Sequence, residues 1–304
     1  MQSTVVVPSY VRPALPADMD DIIVLDEGEQ LTEAQSASVG FYVRPYYQAM
    51  GAEEFRGMSN LRVVQTLTAG VDDVKPHVPA GVMLCNAAGV HDAATAELTV
   101  GLMIAAQRAF GVYWDRQREQ HWQHDFNQGL ADARVLIVGA GHIGKAIVRR
   151  LLPFEVRIDR VARSARTDEL GPVHDMSALE VLLPHADIVS IIVPHSESTH
   201  HLVNAAFLAG MKDGALLVNT SRGKVVDQHA LLRELQAGRL RAALDVQDPE
   251  PLPPGDPLWS APNTLITPHI GGDTGAFVPR ARRLVASQVE RWLTGQPLAN
   301  VIER

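Results

Sequence analysis

A single cysteine, Cys85, stands among 304 residues. One thiol closes no internal disulfide and builds no thiolate metal cluster, and so sparse a use of cysteine fits a reducing compartment, by default the cytoplasm. No apolar run approaches the roughly 18 uninterrupted residues that a membrane-spanning helix needs. The opening Met-Gln-Ser-Thr-Val-Val-Val-Pro also lacks the basic segment and long apolar stretch of a secretory leader, so the sequence predicts neither a membrane span nor export. Blocks of like charge are missing too. With 27 basic and 35 acidic residues the formal charge is −8, which predicts no nucleic-acid or anionic-membrane surface and leaves any anionic ligand to be caught by local groups. No internal repeat of solenoid length and no low-complexity tract occurs.

What is present is enough apolar material for a full core, 46% of residues, in a chain long enough for two lobes. Short apolar strands are expected at 5–7, 22–25, 39–43, 63–67 and 82–84, separated by Pro, Gly and acidic turns with helical stretches between them. That alternation predicts a small parallel α/β lobe, since parallel strands need crossover connections. The Ala- and Leu-rich segment 92–108 is apolar on most sides and is expected to be a buried helix. A second α/β unit follows, with strands at 134–138, 156–161, 187–193, 215–219, 240–246 and 264–267, and helices at 177–183, 204–211 and 228–237. An amphipathic helix over 278–293 is expected to return the chain to the first lobe. The predicted architecture is therefore two Rossmann-like domains. A doubly wound parallel sheet occupies 92–277, and a smaller flavodoxin-like domain is made of 1–91 plus 278–304.

Gly139-Ala-Gly141-His142-Ile143-Gly144 follows the strand at 134–138 directly and opens a helix, the context a G-x-G-x-x-G dinucleotide fingerprint requires. Gly139 makes the tight turn, Gly141 lets the backbone approach a pyrophosphate and Gly144 allows helix to pack on strand, while the helix N-terminus attracts the anion. About twenty residues on, an acidic residue usually binds the ribose hydroxyls of NAD. Here the segment reads Ala162-Arg163-Ser164-Ala165-Arg166, a cluster suited to a 2′-phosphate, so NADP(H) is preferred and NAD(H) remains possible. In a competing frame Asp159 binds the ribose; in a plainer reading the arginines form only a solvated loop.

Three more stretches lie just beyond strands, where ligands bind in open α/β sheets: Val218-Asn-Thr-Ser-Arg-Gly-Lys-Val-Val-Asp227, Ala243-Leu-Asp-Val-Gln-Asp-Pro-Glu-Pro-Leu252 and Thr267-Pro-His-Ile-Gly-Gly272. Together with the glycine fingerprint, in this order, they resemble the D-isomer-specific 2-hydroxyacid dehydrogenases, a family that includes glyoxylate and hydroxypyruvate reductases. The resemblance implies that Arg222 binds substrate, that His269 is the acid/base and that Glu250 supports it. It also places Asp245 near the nicotinamide, gives a substrate carboxylate to the backbone N–H groups of Gly70 and Val71 in Thr68-Ala-Gly-Val-Asp72, and puts Glu97 and Arg108 on an interdomain helix. The chemistry is coherent. Hydride addition to a 2-oxo acid builds charge on oxygen, which an imidazolium beside it neutralises by giving up a proton, while a guanidinium fork holds the carboxylate. The implied partner is a small anionic 2-oxo or 2-hydroxy acid, and the implied assembly a homodimer built around 92–108. Two alternatives stay open, a dinucleotide-sensing binding protein of the corepressor kind and a phosphite-type dehydrogenase. His195, His200 and His201 lack metal-ligand spacing, so no metal is expected.

The chain departs from the family in three places. Gln247 stands where an aromatic residue often follows Asp-Val, Phe154-Glu155 replaces a more usual Phe-Gly, and Phe277 and Pro279 sit near the start of the last helix.

Overall fold

The computed structural model describes residues 4–46 and 53–303. The chain divides into two units, one made of the residues up to His91 and from Asp273 onward, the other of Asp92–Gly272. The return thus falls at Asp273, a few residues ahead of the 278 expected from the helix pattern.

The first unit holds a five-stranded sheet of β1 (Thr4–Pro8), β2 (Ile22–Leu25), β3 (Val39–Val43), β4 (Val63–Gln65) and β5 (Met83–Cys85). Every pairing is parallel and the order is β2-β1-β3-β4-β5, the flavodoxin-like order. Strand alternation divides the side chains between two cores. Val5, Val7, Phe41 and Val43 meet the C-terminal helix Phe277–Leu293 through Phe277, Ala281, Val285 and Val289, while Val6, Tyr42, Val64 and Leu84 fill the other face. Helix α1 (Glu33–Ser38) starts at a reciprocal cap between Thr32 and Gln35.

The second unit opens with α2 (Asp92–Gln107) and α3 (Phe110–Arg118). It continues through β6 (Arg134–Val138), α4 (His142–Leu151) and β7 (Arg157–Val161), then a two-stranded antiparallel hairpin, β8 (Arg166–Asp168) and β9 (Gly171–Val173). The remainder is α5 (Leu179–Leu182), β10 (Ile188–Ile191), α6 (Ala205–Gly210), β11 (Leu216–Asn219), α7 (Gln228–Gln236), β12 (Arg241–Leu244) and β13 (Thr264–Ile266). The main sheet is parallel in the order β13-β12-β11-β10-β6-β7, covered by an apolar cluster on each face. Strand order reverses between β6 and β10, so the loop after β6 lies at the switch point where doubly wound sheets bind ligands. Neither the hairpin nor α3 was foreshadowed by apolar periodicity, because the hairpin is mostly exposed and polar and α3 leaves its apolar side chains, Phe110, Val112 and Trp114, exposed. No helix among the described residues is long and apolar enough to cross a membrane.

Candidate active site

The glycine turn has the stereochemistry a dinucleotide loop needs. Gly139 takes φ +120°, and a Cβ there would lie 2.3 Å from the Ile192 carbonyl oxygen of the neighbouring strand end; a Cβ on Gly144 would lie 2.1 Å from the Gly139 oxygen. Both positions are therefore closed to any side chain. Gly141 differs, since a Cβ there would meet nothing within 4 Å. Its outer side is open, and it precedes an α4 N-terminus that no side chain caps. Unspent N–H groups beside open space, on a turn packed hard against the sheet, form a cradle for a pyrophosphate, so the residues present fit a bound nicotinamide dinucleotide.

Past the end of β7 the chain runs through Ala162–Ala165 into the hairpin. Arg166 donates to the carbonyl oxygen of Ala140 inside the glycine turn at 2.8 Å. Arg163 and Ser164 are exposed, and the Arg163 side chain makes no hydrogen bond or ion pair with a described residue. Asp159, the rival ribose ligand, sits in the middle of β7 opposite Leu136, with its carboxylate 3.6 Å from Arg134. It does not reach the strand end, where a ribose ligand belongs.

Arg222, Asp245, Glu250 and His269 all lie in loops at the carboxyl ends of β11, β12 and β13. The Thr267–Gly271 loop is pinned by Asp245, which is 1% exposed. One carboxylate oxygen accepts from the Thr267 hydroxyl at 2.6 Å and the Ile270 N–H at 3.0 Å, and the other from the Gly271 N–H at 2.9 Å. The Asp245 backbone oxygen takes the His269 N–H at 2.8 Å and steadies a left-handed histidine, φ 54°. Asp245 is thus the anchor of the histidine loop, a duty that the expected nicotinamide contact did not include. Burial pushes its carboxyl above the usual range, against the pull of those hydrogen bonds.

His269 Nδ1 is hydrogen-bonded to a Glu250 carboxylate oxygen. That bond holds the imidazole above its ordinary value, while burial and the Arg222 guanidinium oppose the charge. The second ring nitrogen, Nε2, is left for chemistry. The Arg222 backbone is fixed by the Asn219 side chain at 3.0 Å, and the guanidinium donates to the Ser221 oxygen at 2.7 Å. Close approach of two loops makes this possible, because a Cβ on Gly223 would lie 1.8 Å from the Gln247 carbonyl oxygen. Gln247 itself is buried and donates toward the carbonyl oxygens of Leu244 and Thr267 at 3.3 and 3.5 Å, so the missing aromatic residue is replaced by a polar tie between strand ends.

Several supporting residues were not singled out by sequence reasoning. On α2, Thr95 donates to the Gly271 oxygen at 3.2 Å and Thr99 shares a hydrogen bond with Thr220 at 2.8 Å, so one helix braces both the histidine and the arginine loops. Threonines inside an otherwise apolar helix were the available signal. Glu97 and Arg108 are exposed and form no ion pair with a described residue.

In the first unit, the Thr68–Val71 loop spends its carbonyls and keeps its amides. The Thr68, Ala69 and Gly70 oxygens accept from Ala87 N–H, the Asn86 side chain and the Thr68 hydroxyl at 2.9, 2.7 and 2.7 Å. The N–H groups of Gly70 and Val71 donate to no described residue. His91 Nε2 bonds the Leu67 oxygen just ahead of that loop at 2.7 Å, and its ring stacks on Tyr46 and on Phe277. The unusual Phe277 is buried in this aromatic set, 4.3 Å from Tyr46 between ring centroids.

A doubly wound sheet with an open glycine cradle at its switch point, beside a histidine, carboxylate and arginine at adjoining strand ends, defines a nicotinamide-dependent oxidoreductase. Residues 100–271, more than half of the chain, match the D-isomer specific 2-hydroxyacid dehydrogenase, NAD binding domain. The chain is 36% identical over 256 residues to a glyoxylate reductase of Thermofilum pendens, covering 81% of this chain and 76% of that one. It is 33% identical to the glyoxylate reductase/hydroxypyruvate reductase of Mus musculus, over 81% and 78% of the two chains. Its fold matches that of a D-isomer specific 2-hydroxyacid dehydrogenase from Xanthobacter autotrophicus Py2 in complex with NADPH and MES, with a TM-score of 0.83, 26% identity and coverage of 99% and 98%. The chain belongs to the D-isomer-specific 2-hydroxyacid dehydrogenase family.

Proposed function

We propose that this enzyme reduces small 2-oxo acids of the glyoxylate, hydroxypyruvate and pyruvate kind to D-2-hydroxy acids, with NADPH preferred over NADH. The observation that carries the reading is the Glu250–His269–Arg222 constellation, an acid held ready beside a cation. When bound, the reduced nicotinamide supplies the hydride. The protein supplies the rest. His269, whose charged form Glu250 favours, delivers a proton from Nε2 to the carbonyl oxygen as charge builds there, and in the oxidative direction takes it back. Arg222 provides a planar fork of donors for the carboxylate and carbonyl, and so concentrates an anion on a protein of negative net charge. Unspent N–H groups at Gly70 and Val71 suit a carboxylate by the same logic. Asp245 holds the loop that carries His269.

Preference for NADP(H) is supported by Arg163, Ser164 and Arg166 following β7 and by the removal of Asp159 from the strand end. Gly139, Gly141, His142, Ile143 and Gly144 form the pyrophosphate turn. We also read the enzyme as a cytoplasmic homodimer, in keeping with its single buried thiol and with the large apolar side chains left exposed beyond α2. The decisive experiment sets NADH and NADPH against glyoxylate, hydroxypyruvate, pyruvate and phosphite. Oxidation of NADPH by a short 2-oxo acid is expected; silence with every 2-oxo acid overturns the reading, and coenzyme reduction by phosphite would replace it.

A further inference from the structure

Two three-residue strands, β8 and β9, make a poor hairpin. Val173 is their only buried side chain, and an isolated two-stranded ribbon is marginal in water. Something other than apolar packing must set where this hairpin sits. Arg160 of β7 is 3% exposed, and its guanidinium donates to both Asp168 carboxylate oxygens at 2.8 and 3.2 Å and to the Gly171 oxygen at 2.7 Å. Asp168 also takes the Leu170 N–H at 2.9 Å, so the turn between the strands is nailed to β7 through one fork. Lys145, in the first turn of α4, lies 3.4 Å from Asp168 and 3.1 Å from Glu169, and Arg149 reaches Glu169 at 2.9 Å. The network therefore joins the hairpin to the helix that leaves the glycine turn.

The hairpin in turn frames the arginine loop. Ala162 N–H donates to the His174 oxygen at 2.9 Å and His174 N–H to the Arg160 oxygen at 2.8 Å, while Arg166 is paired with Val173. Residues 162–165 thus begin and end on the same return strand. The Arg160–Asp168 fork is the side-chain tie that adds to these backbone bonds and holds the turn of that return strand against β7.

We propose that Arg160 and Asp168 are positioning residues for coenzyme choice, and that the hairpin they clamp holds Arg163 and Arg166 in the form that grips the 2′-phosphate of NADP(H). The inference rests on the NADP(H) reading above. It explains a buried guanidinium that the chemistry of the 2-oxo acid does not use, since burying such a charge is costly unless it is fully paired.

The test is steady-state kinetics of the full chain with NADPH and with NADH at saturating 2-oxo acid, melting temperature being recorded for each variant. Asp168→Asn is expected to raise KM for NADPH roughly fivefold or more, with KM for NADH and its kcat changed by less than about twofold. Asp168→Glu, which keeps the charge, is expected to recover part of the loss. Arg160→Lys keeps the cation without the fork and is expected to give the same split, which keeps the test open should Asp168→Asn not fold. Equal losses with both coenzymes, or none with either, overturn the inference. Arg163→Ala separates this failure from that of the reading beneath it. A selective NADPH loss in Arg163→Ala without one in Asp168→Asn refutes the clamp alone, whereas silence in Arg163→Ala refutes the 2′-phosphate site.

Discussion

At His269 opposing influences act on the imidazole, whose titration the proposed mechanism makes the pH control of the reaction. The Glu250 hydrogen bond raises the imidazole, while burial and Arg222 pull it down, and the first prevails. Because the folded value lies above the ordinary 6.5, His269 stays charged further into the neutral range than free imidazole. Reduction is therefore expected to fall as pH passes above the raised value, later than a free imidazole would allow, with oxidation showing the opposite trend. The same pair stabilises the fold fully below pH 6.5 and loses that contribution as pH rises through the raised value. Glu250→Gln removes the largest cause, so the inflection in kcat/KM for reduction should move downward; an unmoved inflection would separate Glu250 from the acid. His269→Ala is expected to cut turnover by a few hundred-fold or more, about the worth of a positioned acid, with coenzyme affinity nearly unchanged. Full activity in that variant would remove the proposed proton donor.

Turns and strand ends carry the next level. Gly141→Ala is an informative substitution because a methyl there meets no neighbouring atom within 4 Å. Its melting temperature should match that of the parent while KM for the coenzyme rises roughly tenfold or more, since the methyl occupies the approach of the pyrophosphate. A fall in melting temperature with unchanged KM would show that the glycine serves packing instead. Glu155, in the place of the family's more usual glycine, adopts φ 59°. A left-handed conformation costs an L-residue about 1–2 kcal/mol, part of which glycine gives back as unfolded-chain entropy. Glu155→Gly is accordingly expected to stabilise the protein by about 0.5–1 kcal/mol, read as a rise in melting temperature.

For the whole molecule, the stretch beyond α2 is the outstanding feature. Trp122 is 98% and Phe126 104% exposed, with Trp114 on α3 at 62%, an apolar display that a monomer in water has no reason to keep. A homodimer that covers them is expected from light scattering, and Trp122→Asp with Phe126→Asp should yield a monomeric mass. A monomeric parent would refute the assembly.

Much of this was legible in the chain, for identifiable reasons. Apolar strands of period two and glycines at fixed offsets after β6 act locally, so the sequence alone determined the α/β class, the order along the chain of the strands of the two main sheets, the glycine turn and the strand ends that bear Arg222, Glu250 and His269. Contacts between residues far apart in the chain carry no such periodic signature. Only the tertiary structure decided that Asp245 anchors the histidine loop, that Thr95 and Thr99 brace two loops from one helix, that Phe277 stacks with Tyr46 and His91, and that a buried Arg160–Asp168 fork seats a hairpin too polar to announce itself. Each of these depends on which side chains the folded backbone brings within hydrogen-bond reach, a distance that spacing along the chain does not encode.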